Sequence, residues 1–411
     1  MSTVATTVAS FGHRRVTKES NLPLPLEGFR IIDCSTVLAG PLAATHLGDF
    51  GADVIKVELP QADSPPIRAT RLHEERNKRS VTIDLRKTQG QELLVRLIKD
   101  ADALIENFRP GTFEKWNLAP ERLLAENPRL IMHRLSAFGQ TGPWREFGGY
   151  DRQAQAISGA TYVTGFPDSE PVRSGFATAD YMAGIWGAFS IILAAYWRDA
   201  RGGRGQVSDL ALFEPMLRAC EGSVTEFSLS GSVRERSGNS NPGVVPAANF
   251  RTRDGVTVAI NANNDRQWAR LATVIGHPDL AEDPAYKMPA RIQRANDIYP
   301  LIEDWVGDHD VRDVEEAMVT AGVPCAPVLN VRQIFEHPMI QGRGSITRVP
   351  WHNREIAMVD VLPRLSDSPG QIRSAAPAPG QHTDEVLGEL GLSPEEIVKL
   401  AQDGVIAPQR E

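Results

Sequence analysis

From Arg30 onward the chain alternates short apolar runs with stretches of helical spacing. Arg30–Cys34 (RIIDC) has the pattern of a buried strand, and Gly40-Pro41 opens a helix that runs to about Phe50, where Gly51 stops it. Asp53–Glu58 (DVIKVE) and Ser80–Leu85 (SVTIDL) are the next two strands. Gln89–Asp100 has helical spacing, and Ala103–Glu106 and Leu130–Ser136 are again strand-like. Strands alternating with helices of this length predict βαβ units and a mostly parallel sheet.

Further on, Asp180 precedes an apolar helix predicted over Tyr181–Trp197. A Gly/Arg turn (198–206) and a strand over Val207–Leu212 follow. Residues 236–248 form a loop rich in Gly, Asn, Ser and Pro. Gly255–Ile260 is a strand, 265–322 are mainly helical, and Val323–Val331 resembles one more strand. Pro363 to Gly380 is predicted to wander over a surface, and 383–402 to form a polar helical end. The apolar run Met182–Trp197 is shorter than the roughly 20 residues of a spanning helix, so it predicts the buried helix of a soluble protein and no membrane partner.

Charge narrows the partners. Lys+Arg at 44 against Asp+Glu at 52 gives a net charge of −8, unlike the basic surface of a nucleic-acid binder. With 411 residues and 41% hydrophobic content there is material for more than one core. Cys34, Cys220 and Cys325 are far apart and show no metal-ligand spacing, and no HxxxH pair exists. A metal site is not expected, and a reducing cytoplasm is. Residues 1–21 lack the apolar core of a signal peptide and are expected to be a flexible tail. Neither GxGxxG nor GxxxxGK[ST] occurs, so the α/β pattern does not by itself indicate a dehydrogenase or P-loop enzyme.

Seven phrases in chain order carry a resemblance. They are LEGFRIIDCSTVLAGPLAATHLGDFGADVIKVELP (26–60), RNKRSVTIDL (76–85), ENFRPGTFEKWNL (106–118), NPRLIMHRLSAFGQTGP (127–143), SGFATADYMAG (174–184), GRGQVSDLALFE (203–214) and GQHTDEVL (380–387). Together they resemble the class III CoA-transferases. The resemblance implies an α/β fold with a Rossmann-like large domain formed by both chain ends and a smaller central α/β domain. The corresponding segments are 22–225, 226–340 and 341–411. It also implies an intertwined homodimer, or pairing with a homologous subunit, with the active site at the domain boundary and the dimer interface. Coenzyme A enters as acyl-CoA, a substrate.

The resemblance puts the family's nucleophile on Asp180, where it would carry CoA as an aspartyl thioester. An N-cap position at the mouth of the apolar helix would hold such a carboxylate ionised. Asp151 matches an acidic position near the reacting carboxylate, and capping of the following helix is an equal alternative. Family contacts to CoA fall on Val37, Leu38, Ala39, Ile83, Arg86, Asn107, Phe108, Arg109 and Lys115. Many members have Arg where this chain has Leu59, and Arg68 or Arg71 could substitute. Backbone N–H groups near Leu38-Ala39 and in the 238–243 loop (GNSNPG) are candidate oxyanion donors. His382, in GQHTDEVL, is expected to be structural.

The stretch from 237 (SGNSNPGVVPAANFRTRDG) and NANNDRQW at 261–268 look most like the branch using succinyl-CoA and dicarboxylate acceptors such as malate, citramalate, itaconate or hydroxymethylglutarate. A second carboxylate would need a cation in the pocket, for which Arg173 or Arg68 is a candidate. Tyr150 stands where related racemases carry a His, which favours transfer over α-proton exchange. A racemase-like isomerase and a non-catalytic CoA-binding paralogue are the alternatives.

Overall fold

The computed structural model describes residues 23–60, 68–241 and 243–407; the predicted tail at 1–21 lies outside them. Six strands make one sheet: β1 (Arg30–Asp33), β2 (Asp53–Glu58), β3 (Lys78–Thr82), β4 (Ala103–Glu106), β5 (Ile131–Ser136) and β6 (Val207–Ala211). Their order is β3-β2-β1-β4-β5-β6, and all neighbours run parallel. The connections include α1 (Ala39–Gly48), α2 (Ala69–Glu74), α3 (Thr88–Ile98), α4 (Thr112–Lys115), α5 (Pro120–Glu126), α6 (Asp151–Ile157) and α7 (Thr178–Ala200). This is a doubly wound sheet whose winding reverses between β1 and β4. Such a reversal leaves a crevice beyond the carboxyl ends of those two strands.

Ile31 and Ile32 on β1, Val54 and Ile55 on β2, and Leu104 and Ile105 on β4 are essentially inaccessible. Both faces of the sheet are therefore covered, which is why these strands are continuous apolar runs rather than alternating ones. The predicted third strand at Ser80–Leu85 begins and ends earlier, at Lys78–Thr82. Its Lys78 is drawn inside by ion pairs to Asp33 (2.9 Å) and Glu75 (2.7 Å).

A second sheet holds β7 (Ala247–Arg251), β8 (Thr257–Asn261) and β9 (Cys325–Pro327), antiparallel throughout. Helices 265–274, 295–307 and 311–321 pack on it around Trp268, Ile298, Ile302 and Met318. The strand predicted at Val323–Val331 shrinks to three residues. A hairpin of β10 (Ile346–Trp351) and β11 (Arg354–Val359) joins at His352-Asn353, a pairing that the sequence reading did not anticipate. The chain end then returns to the first sheet. Val386, Leu387, Leu400, Val405 and Ile406 join the core around Ile83 and Leu94. The His382 Nδ1 atom accepts the Ser80 N–H (3.1 Å), a structural contact at that seam.

Helix α7 corrects two expectations. It begins at Thr178, not after Asp180, and it is not buried all round. Its inner face is a row of small residues, Ala179, Ala183, Gly184, Gly187, Ala188 and Ala194, which lets it lie close to α1. A Cβ on Gly184 would come within 2.7 Å of the Leu42 side chain. Its outer face exposes Ile185, Trp186, Phe189, Ile192, Leu193, Tyr196 and Trp197. With 23 residues the helix is long and apolar enough to cross a membrane by length and composition. Its inner face nevertheless packs on α1, β5 and β6, and buried Arg198 ties its far end to Asp102 (2.8 Å).

Gly184→Val forces side-chain atoms into Leu42. We expect a loss of roughly 1–3 kcal/mol, the range for overpacking a filled core, measured by denaturant unfolding. An unchanged midpoint would contradict the close α1–α7 contact.

Candidate active site

The reversal point of the sheet holds the site. Beyond β1 the chain passes through Cys34–Leu38 into α1, and beyond β4 it passes through Asn107-Phe108-Arg109. The β1 turn is braced from below. Asp33 is fully buried, its Oδ1 accepts the Ser35 N–H (3.0 Å), and its Oδ2 lies 3.2 Å from Lys56 Nζ and 2.9 Å from Lys78 Nζ. Burial alone would raise the Asp33 pKa, but the two ammonium groups prevail and hold it at about 2, so the brace stays charged. From the side, the Asn107 amide accepts the Thr36 N–H (2.7 Å) and donates to the Thr36 carbonyl (2.7 Å). Asn107, expected as a CoA contact, thus spends both ends of its side chain on shaping the turn. Between these clamps Val37 takes a φ of +69°, unusual for a β-branched residue, with 73% of its surface exposed.

Two cavities meet at this turn, sharing Thr36, Val37 and Phe108. The first, of about 520 Å³, is lined by Asp180 together with Leu38, Ala39, Asn107, Arg109 and Tyr150, and by Leu135, Ser136 and Phe147. The second, of about 420 Å³, is lined by Leu59, Arg68, Arg71, Glu74 and Ile83 among others. Arg68 and Arg71 thus sit in the same cavity as Leu59. The Arg71 guanidinium is committed to Glu58 (2.8 and 2.9 Å). Arg86 is paired with Asp84 (2.7 Å), and neither Arg86 nor Lys115 lines either cavity. The Arg173 guanidinium donates to the Ser174 carbonyl (2.8 Å), also away from both. The 238–243 loop borders a separate cavity with Val163 and Asn249, not that of Asp180; its Pro242 lies outside the described residues.

Asp180 is the third residue of α7, and Ala177 is at the cap. The helix N–H that an N-cap carboxylate would accept goes instead to Asp151: its Oδ1 accepts the Ala179 N–H (2.8 Å) and its Oδ2 accepts from Gln155 Nε2 (2.7 Å). No side-chain hydrogen bond reaches Asp180 among the described residues. Burial first, and the Asp151 charge second, push its pKa from 3.8 up to about 7. The expectation of a fully ionised, helix-stabilised Asp180 is therefore corrected. The stabilising N–H belongs to Asp151, and Asp180 is poised near neutrality.

Two further residues were not anticipated. Gln155, buried, links Asp151 to Ser174 through its own carbonyl (3.1 Å to Ser174 Oγ) and so fixes the approach to α7. Its signal is the i,i+4 spacing from Asp151 on α6. Tyr181, next to Asp180, donates its hydroxyl to Glu74 Oε1 (2.5 Å), joining the first turn of α7 to the wall of the second cavity. Nothing in the sequence joins those two positions. Among the described residues, no group of three His, Cys, Asp or Glu side chains is placed to hold a metal ion.

The start of α1, where Leu38 supplies no side-chain cap, a carboxyl without partners and a lone arginine line one cavity and suit acyl transfer to or from an acid. The model of CoA-transferase family III matches residues 26–383. The chain is 40% identical to the succinyl-CoA–L-malate CoA-transferase beta subunit of Chloroflexus aurantiacus, covering 93% of this chain and 98% of that one. It is 38% identical to the succinyl-CoA–D-citramalate CoA-transferase of the same organism, with the same coverage. Among solved structures, a CAIB/BAIF family protein from Brucella suis superposes with a TM-score of 0.79 at 33% identity, over 90% of this chain and all of that one. The chain therefore belongs to CoA-transferase family III and is a CoA-transferase.

Proposed function

We propose that this enzyme moves CoA from succinyl-CoA to a second dicarboxylic acid through a covalent intermediate on Asp180. The observation that carries this reading is the placement of Asp180: an unpartnered carboxyl, half-buried, in a cavity at the sheet's reversal point. The named acids of the relatives supply the substrate class.

In the first step the Asp180 carboxylate attacks the thioester carbonyl, forming a mixed anhydride and releasing CoA thiolate. The thiolate then attacks the aspartyl carbonyl, leaving Asp180 as its CoA thioester and freeing succinate. The acceptor carboxylate attacks that thioester and expels the thiolate. The thiolate finally attacks the acceptor's acyl carbon and regenerates Asp180. Every step exchanges one activated acyl group for another, so no external energy source is needed.

Chain groups assist in definite ways. The Leu38 cap of α1 has no side-chain acceptor, which leaves the first N–H groups of that ten-residue helix for a developing oxyanion. A carboxyl with a pKa near 7 is a stronger nucleophile than an ordinary aspartate once ionised, while still ionised in good part at neutral pH. Exchange of an α-proton needs a second acid-base group. No histidine lines the Asp180 cavity among the described residues, which favours transfer over racemisation.

The reading includes a second copy of the chain over the outer face of α7. Contiguous exposure of Trp186, Phe189, Leu193 and Trp197 supports it, since large apolar patches on a monomer commonly mark interfaces. Sedimentation should give about twice 45.0 kDa; a persistent monomer would refute this part.

The reaction itself is tested by incubating the enzyme with succinyl-CoA and a panel of mono- and dicarboxylates and detecting new CoA esters by mass. Asp180→Asn should lower formation of any such ester by roughly 10³-fold or more, as removal of a nucleophile does. Full activity of that variant would overturn the assignment.

The same carboxyl sets the pH dependence. Below its pKa of about 7 Asp180 is protonated and cannot attack, so kcat/KM should fall about tenfold per pH unit on the acid side. Asp151→Asn removes the neighbouring negative charge and should move that limb to lower pH. A limb that stays in place would refute the contribution of the Asp151 charge to the raised Asp180 pKa.

A further inference from the structure

A carboxyl that is acylated, joined to a thiol and released again in every cycle cannot be held in place by its own oxygens. None of the described side chains hydrogen-bonds to Asp180, so its position has to come from the residues on either side. Both are tied down. The Ala179 N–H is held by Asp151 (2.8 Å). Tyr181 is held at two points. Its N–H donates to the Ala177 carbonyl (3.1 Å), closing the first turn of α7 around Asp180, and its hydroxyl donates to Glu74 Oε1 (2.5 Å).

The Glu74 end of this tether is firmly seated. Glu74 is the last residue of α2 and only 2% exposed. Its carbonyl accepts the Thr45 hydroxyl, which fixes α2 to α1, the helix on which α7 packs. Its carboxylate depends on Tyr181: Oε2 has no hydrogen-bond partner among the described residues, and His73 Nε2 stands 3.9 Å from Oε1, beyond hydrogen-bond reach. Burial pushes the Glu74 pKa up, and the Tyr181 hydroxyl opposes that more than the charges of Arg76 and Lys78 do. Tyr181 keeps its proton, because burial and the adjoining Glu74 both raise its pKa. A buried carboxylate that loses its donor bears the full cost of desolvation, so the bond resists breaking.

We infer that Glu74 is a positioning residue of the reaction: through the Tyr181 hydroxyl it holds the first turn of α7, so that Asp180 keeps one place while its carboxyl is acylated and released. This rests on the reading of Asp180 as the nucleophile. It gives Asp151 and Glu74 matching tasks, each holding one neighbour of a third acid.

The test measures kcat, KM for succinyl-CoA and hydroxamate formation on the Asp180 peptide. It compares wild type, Tyr181→Phe, Glu74→Leu, Glu74→Gln and the double variant Tyr181→Phe/Glu74→Leu, with denaturant unfolding of each as the check on folding. Tyr181→Phe and Glu74→Leu should each lower kcat by roughly 10- to 100-fold, the cost of displacing a reacting group by about an ångström, with KM little changed. The double variant should be no slower than the slower single one, since both changes remove the same bond. Glu74→Gln keeps an oxygen that accepts the hydroxyl and should lose much less. Tyr181→Phe, which keeps the ring, decides the matter if Glu74→Leu fails to fold. A lowered unfolding midpoint with unchanged kcat would make the pair a structural tie only and overturn the inference. A loss confined to KM, or losses that multiply in the double variant, would overturn it as well. A non-additive loss of turnover in an enzyme whose Asp180 forms no hydroxamate would instead sustain the tether and refute the covalent reading.

Discussion

One hydrogen bond arranges the chemistry: the Ala179 N–H donates to Asp151, not to Asp180. A helix start offers a few unsatisfied N–H groups, and any carboxylate that accepts one is stabilised in its charged form. Asp151 reaches across from the first turn of α6 and takes that stabilisation. Asp180, one residue beyond Ala179, is left in a half-buried place with a negative neighbour and no donor. Its raised pKa follows from this division between two acids. Environment, rather than residue type, separates the anchored Asp151 from Asp180 with its raised pKa.

The remaining structure keeps this division in register with the sheet. Small residues on the inner face of α7 bring it close against α1, whose uncapped start opens into the same cavity. Arg198 fastens the far end of α7 to Asp102, which also accepts the Arg30 N–H at the start of β1 (2.9 Å). At the other end of β1, Asp33 and its two lysines hold the turn that carries Val37 and Leu38. Asp180 and the start of α1 thus stand on elements tied together at both ends of the strands. Catalytic geometry needs that rigidity, since small displacements of a nucleophile forfeit much of the benefit of proximity.

Much of this could be read from the residues. RIIDC, DVIKVE and ALIE announce buried parallel strands because both their faces are covered, and the seven phrases in order led to the family. The beginning of α7 was less legible. Thr178 and Asp180 are both plausible helix starts, and only the fold shows Asp151 arriving to take the N–H. The Tyr181–Glu74 and Gln155–Ser174 contacts span 107 and 19 positions respectively, distances over which local pattern is silent. The hairpin at 346–359 was hidden because its strands are mostly solvent-facing and include Pro350, which weakens the alternating signal. The outer face of α7 misled for the opposite reason. Its apolar residues have the composition of a core helix, and exposure is a property of neighbours rather than of sequence.

The central claim is that the Asp180 carboxyl becomes covalently bonded to CoA. The most direct measurement is peptide mass analysis of enzyme mixed with succinyl-CoA and quenched in hydroxylamine. The account predicts that the peptide containing Asp180 appears as its hydroxamate, that no other acidic peptide does, and that omission of succinyl-CoA abolishes the product. An unmodified Asp180 peptide from enzyme that is actively turning over, or a hydroxamate on another residue, would contradict it.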